Sequence, residues 1–215
     1  MMTLHGLKHT LALVLLGVTF SAMGCATAGQ RVDFMYEATG AAVGGSGEFY
    51  LAKDIQSPSR GEWELGDITG GDGKKLGDIV TGNAPADMIR DAYRQELEEA
   101  GYTVQLVTTL PQDVAKGMRI VGATVRLDEK RHLFKSEAAC TLSLSLELWR
   151  NGRLMNRLRY VAADSESAFT GGRPLLRSAL QKALHDVMTR SMPEIVETIE
   201  QHEGATPFPG RSAHI

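Results

Sequence analysis

The sequence predicts an α+β fold: a mostly antiparallel sheet with two amphipathic helices packed on one face, forming a two-layer sandwich. Three observations carry this reading. Residues 139–150 alternate, with Cys140, Leu142, Leu144, Leu146 and Leu148 on one side and Thr141, Ser143, Ser145 and Glu147 on the other. That period of two belongs to a strand with one buried face. Asn151-Gly152 follows, a pair suited to a type I′ hairpin turn, in which both residues need φ > 0. Two further segments, 84–100 and 174–201, carry apolar residues at helical spacing.

The elements follow in chain order. Residues 48–53 read as a first core strand, broken by Pro58, Ser59, Arg60 and Gly61. Trp63-Glu64-Leu65 reads as a short extended piece and 66–78 as loop. Pro85 suits the first turn of the helix over 84–100, and Asp87 complements its dipole. Met88, Ile89, Ala92, Tyr93, Leu97 and Ala100 form its apolar face, and Gly101 stops it. Residues 102–107 and 118–127 read as strands. The return strand of the hairpin, 153–162, turns Leu154, Leu158 and Tyr160 inward and Arg153, Arg157 and Arg159 outward. The helix over 174–201 has a long apolar stripe, and Pro193 should kink or divide it. Residues 48–201 thus form one domain. The tail, 202–215, has two prolines and no periodicity and reads as disordered.

The chain opens with an export signal. Lys8 precedes the unbroken apolar run 11–20, and the small residues Ser21, Ala22 and Gly24 follow. This is the order of a signal peptide spanning 1–24, and the run is shorter than the roughly 20 residues of a membrane span. Two cleavage sites compete. Ala26-Thr27-Ala28 would release a soluble chain starting at Gly29. Ala22-Met23-Gly24-Cys25 resembles the lipobox of bacterial lipoproteins, in which the cysteine becomes an acylated N-terminus. Gly24 and Cys25 fit that pattern, whereas Ala22 stands where leucine is usual. Residues 25–47, with the run GAAVGGSG at 40–47, then read as a lipidated N-terminus and flexible tether. Cys140 has no intramolecular partner under either cleavage, and its place among leucines marks it as an inert buried thiol.

Residues 25–215 carry 22 Lys+Arg and 26 Asp+Glu, which is no nucleic-acid signature. Charge is unevenly spread. Residues 126–159 hold 8 basic and 4 acidic side chains, against 9 and 15 over 25–125. Arg153, Arg157 and Arg159, with Arg126, Lys130 and Arg131 nearby in sequence, make a candidate basic face for an anionic ligand or an acidic partner. The competing reading is a solvated outer face with Glu147 and Ser/Thr partners across the hairpin. No histidine or cysteine spacing supports a metal, and no nucleophile elbow is present. GAAVGGSG runs into a strand, and GGDGKK at 70–75 lacks the remaining P-loop residues, so neither supports a phosphate loop. No cofactor, metal or catalytic residue is expected.

The lipobox, the helix–glycine–strand unit ADMIRDAYRQELEEAGYTV, the alternating strand with its Asn-Gly turn and the long C-terminal helix together resemble small outer-membrane lipoproteins of Gram-negative bacteria, closest to the YajG-like family. Similar layouts occur in auxiliary lipoproteins of envelope ABC transporters and in the lipoprotein partner of the lipopolysaccharide-assembly barrel. The resemblance implies a non-enzymatic envelope protein facing the periplasm. It would be held in the outer membrane by acyl chains on Cys25 and would act as an accessory or scaffold through an envelope protein complex or anionic lipid. Ala26, where other lipoproteins carry Asp, agrees with outer-membrane sorting in that resemblance. The alternatives are a soluble periplasmic binding module cut after Ala28 and, third, an exported hydrolase.

Overall fold

The computed structural model describes residues 29–53 and 61–200. The expected signal peptide (1–24), Cys25 and the tail (202–215) lie outside the described residues. The elements in order are β1 (Gln30–Arg31), β2 (Glu48–Lys53), β3 (Trp63–Gly70), β4 (Lys75–Thr81), α1 (Pro85–Ala100), β5 (Thr103–Val107), β6 (Lys116–Arg131), β7 (Ser136–Arg150), β8 (Arg153–Ala168) and α2 (Arg173–Glu200).

The expected mostly antiparallel two-layer sandwich is not what forms. The sheet is mixed and curls into a half-barrel around the two helices. Its spine is β6. Along one edge β6 pairs antiparallel with β7 over its whole length, and β7 pairs likewise with β8. The other edge is shared. Residues 117–120 pair parallel with β2, whose far side carries parallel β5. Residues 129–131 pair parallel with β3, which continues into antiparallel β4 and then parallel β1. The expected strand 118–127 was too short to hold two such partners; at sixteen residues β6 has room for both. One-sided alternation reveals a buried face but not a neighbour's direction, so the parallel pairs left no mark in the pattern.

The segment 66–78, expected as loop, holds most of the β3–β4 hairpin. Gly73 takes φ +81° at its turn, and the Gly70 N–H donates to the Lys74 carbonyl at 2.8 Å. The Asn-Gly turn forms with φ +48° and +70°. Helix α2 is continuous through Pro193, an exposed position.

One apolar core joins the inward rows of the strands to both helices. Leu142, Leu144, Leu146 and Leu148 of β7 share this core with Leu176, Leu180, Val187 and Ile195 of α2 and with Ile89, Tyr93 and Leu97 of α1, all essentially buried. Burying each such side chain contributes about 1.5–3 kcal/mol. The Tyr93 and Ser191 hydroxyls, 2.8 Å apart, satisfy each other where the helices meet. Cys140 lies in this core, and burial pushes its thiol up to about 12.

Residues 30–47, expected as part of a flexible tether, pack onto the domain. Val32 and Tyr36 are buried. Glu96 of α1, 1% exposed, gathers the segment. Its Oε1 accepts from the Tyr36 hydroxyl, the Thr39 N–H at 2.6 Å and the Thr39 hydroxyl at 2.7 Å, and its Oε2 from the Ala41 N–H at 3.4 Å. Arg177 donates to the Asp33 carbonyl at 2.8 Å, and the His185 ring stands edge-on to Tyr36 with Nε2 3.0 Å from the Glu37 carbonyl. The glycines serve close approach: the Gly45 N–H donates to the Ala100 carbonyl at 2.9 Å, where a Cβ would strike the Tyr102 ring.

Candidate functional site

The solvent face of β6–β7–β8 carries a cross-strand row. Register places Arg119, Glu147 and Arg157 directly opposite one another, and side chains so placed face the same way. Arg119 donates to Glu147 Oε2 through Nε at 3.1 Å and also through Nη2. Arg157 Nε donates to Oε1 at 3.0 Å, and the Trp149 indole N–H to Oε2 at 3.4 Å. Glu147 is nearly buried by its partners. Burial alone would raise its pKa, but the guanidinium of Arg119 and then that of Arg157 hold it below the usual carboxylate range. Two guanidinium groups on one carboxylate leave the row a net positive charge. Arg159, opposite Ser145, extends it one pair further.

Beside the row opens a cleft of about 280 Å³. Leu110, Pro111 and Gln112 form one wall; Arg119, Trp149 and Gly152 form the other. The Arg119 guanidinium lies 5.8 Å from the Trp149 ring centroid. An indole, a prolyl ring and a guanidinium suit a ligand group that is apolar on one side and anionic on the other.

The structure separates the sequence-predicted arginines. Arg157 and Arg159 share the outer face. Arg153 does not join them. A bulge at Met155 sets Leu148 opposite Asn156 but Trp149 opposite Leu154, so Arg153 pairs with inward-facing Arg150 on the other side of the sheet. Arg126 is on the outer face but six β7 residues away, about 20 Å, bound to Asp128 at 2.7 Å and to Asp67 at 3.6 Å. Arg131 faces inward at the end of β6, donating to buried Glu129 at 3.0 Å and to Gln30 at 2.9 Å. Sequence reasoning placed Glu147 on this face but missed Arg119 and Trp149, which β6 register and the hairpin bring together.

Glu64, Asp67 and Asp78 converge closely enough to hold a cation. The Lys75 ammonium already fills that place, 2.5 Å from Asp67 and 2.6 Å from Asp78. These residues do not argue for a metal.

No family model matches the chain, and no curated protein matches it. Solved structures do. A DUF330 protein from Xanthomonas campestris superposes with TM-score 0.53 at 14% identity, covering 83% of this chain and 100% of its own. A neuraminyllactose-binding hemagglutinin homolog from Helicobacter pylori reaches 0.44 at 15% identity, over 80% of this chain and 95% of its own. The rare lipoprotein B from Shewanella oneidensis reaches 0.30 at 10% identity, over 64% and 95%. The first likeness is one of fold. The YajG-like family expected from the sequence is not established by these likenesses.

Proposed function

We propose that the chain is a lipid-anchored protein of the bacterial envelope that faces the periplasm and acts, without catalysis, as an accessory through protein or lipid contacts. The observation that carries this reading is the position of Cys25. It closes a lipobox-like Ala22-Met23-Gly24-Cys25 and stands only five residues before β1, the first strand of the folded domain. An acyl group there would hold the domain itself at the membrane. More than one acyl chain is what stable anchoring requires. The non-catalytic part is supported by the buried carboxylates. Glu96 holds the N-terminal segment, Glu129 holds Arg131 and the Gly172 N–H at 3.0 Å, and Glu147 holds two arginines. Each serves architecture. The Trp149–Arg119 cleft is the surface through which an acidic partner or anionic group would be met.

The test is the intact mass of the mature protein isolated from membranes, for wild type and Cys25→Ala. The anchored form exceeds the mass of residues 25–215 by a diacylglycerol and an acyl chain, and Cys25→Ala lacks both. An unmodified soluble product beginning at Gly29 would overturn the reading. One observation favours that second form, a soluble periplasmic binding module: β1 opens at Gln30, one residue past Ala26-Thr27-Ala28, so cleavage there keeps every strand and helix.

A further inference from the structure

One end of the sheet gathers exposed apolar side chains at the point where the N-terminal chain enters the fold. Arg131 of β6 pairs with Ser136 of β7, Ser136 with Ala168 of β8, and Arg131 on its other edge with Gly70 of β3. These four residues form one transverse row, so the connections beyond it lie side by side. The β6–β7 turn carries Leu133 and Phe134, 88% and 78% exposed. The β8–α2 connection carries Phe169, 93% exposed. Exposed Lys130, Lys135, Lys74 and Arg173 stand around them; Lys135 is paired with Glu137 at 2.7 Å and Lys74 with Asp72 at 3.3 Å. The β3–β4 turn closes the end, with Gly71 against His132.

Strand β1 fixes the entry point. It runs parallel to β4, whose first residue, Lys75, pairs with Thr69 next to the transverse row. Gly29, the described residue before Gln30, therefore lies on the side of β1 toward this end. Gln30 is tied to it by the bond from Arg131. Four residues separate Gln30 from Cys25, five steps along the chain, a reach of about 17 Å even fully extended. Gln30 pairs with Ile79, four residues from Lys75, so this end lies within reach of an anchor at Cys25.

We propose that Leu133, Phe134 and Phe169 form a membrane-inserting tip: with Cys25 acylated, they dip into the interface of the lipid bilayer while Lys130, Lys135, Lys74 and Arg173 meet its anionic headgroups. The inference rests on the lipid-anchor reading and gives it an orientation. Apolar side chains ringed by basic ones on adjacent turns are what an interfacial contact requires. A patch of this kind on a free surface otherwise marks a contact site or an aggregation liability. The distance to Cys25 selects the bilayer as its occupant.

The experiment uses the mature protein from membranes, its intact mass recorded, carrying an environment-sensitive dye on Phe134→Cys or, at the opposite end, on exposed Ala115→Cys. Buried Cys140, with its raised thiol pKa, does not compete for dye. Proteins are reconstituted in phosphatidylethanolamine–phosphatidylglycerol vesicles with brominated acyl chains. The dye at 134 is quenched and shifts to the blue, and the dye at 115 does neither. In the unanchored Cys25→Ala protein, the triple change Leu133→Ser, Phe134→Ser, Phe169→Ser weakens vesicle binding at least about tenfold. Circular dichroism of that surface variant matches wild type.

Outcomes separate the two readings. An acylated mass with an aqueous dye at 134 overturns the tip and leaves the anchor. An unmodified mass with a quenched dye overturns the anchor and keeps the tip as a peripheral contact. A dye shielded in native envelope membranes but aqueous in protein-free vesicles shows that a protein covers the patch, and overturns the lipid assignment.

Discussion

Glu96 shows how one carboxylate can decide the fate of a whole segment. Burial would raise its pKa, but the bonds from Tyr36, from the Thr39 N–H and hydroxyl and from the Ala41 N–H outweigh burial and hold it below its ordinary value of 4.5. A group whose folded pKa is depressed stabilises the fold above its unfolded pKa and loses that contribution as pH falls through the folded value. Glu96→Gln should therefore cost about 1–3 kcal/mol at pH 7. The gap to wild type should shrink below about pH 4.5, as the wild-type carboxylate is itself neutralised. Urea melts from pH 7 to pH 3 read this directly, and limited proteolysis should show cleavage moving into residues 30–47. An equal deficit at pH 3 and pH 7 would mean the charge takes no part. In the sequence, Glu96 is one of three acids near the end of a helix. Its partners lie fifty-five to sixty residues away, and no local pattern marks them.

At the scale of elements, composition was legible where it followed a period and misleading where it did not. The β7 alternation, the Asn-Gly turn and both helices declare themselves because their signals are local. Strand β4 does not: its inward row is Gly77, Ile79 and Thr81, a single large apolar residue. The run GAAVGGSG reads as slack chain by composition, yet its glycines permit contact. Gly101, at the end of α1 with φ +111°, would put a Cβ 2.6 Å from the Gly45 carbonyl oxygen. Gly101→Ala thus meets two penalties, backbone strain and the loss of the docked segment, and should destabilise by about 2 kcal/mol or more. Gly40→Ala is the control. Its φ is +61° but its Cβ would stand in open space, so only strain of about 1 kcal/mol applies. Comparable urea midpoints for the two variants would refute the docking argument. The candidate site divides the same way. Outward Arg157, Arg159 and Glu147 follow from alternation. The bulge that removes Arg153 from their face, and the register that adds Arg119, belong to pairing and leave no trace in period.

On the scale of the molecule, the mixed sheet gives the domain a long axis. Fifteen residues of β7 run from Ser136, beside the apolar tip, to Arg150, beside the Trp149 cleft, a span of about 45 Å. The Glu200 end of α2 closes that far end, with Lys116 bonded to Glu200 at 2.9 Å and Arg150 donating to the Ile199 carbonyl. Cleft and tip thus stand at opposite poles of one rigid unit. On the proposed anchoring, the short stretch between Cys25 and Gln30 keeps the cleft at a set height above the bilayer, in reach of a partner that projects to that height. Energy transfer from a headgroup dye to a label on Ala115→Cys should give a narrow distance distribution centred near 45 Å. Inserting twelve Gly/Ser residues between Ala28 and Gly29 adds a coil of about 20 Å root-mean-square extension. It should leave the fold and the acyl group intact, broaden that distribution and weaken any partner capture at Trp149. If the distribution stays narrow after the insertion, the apolar tip alone orients the domain; if it is broad in the wild type, the cleft has no set height and the anchored orientation fails.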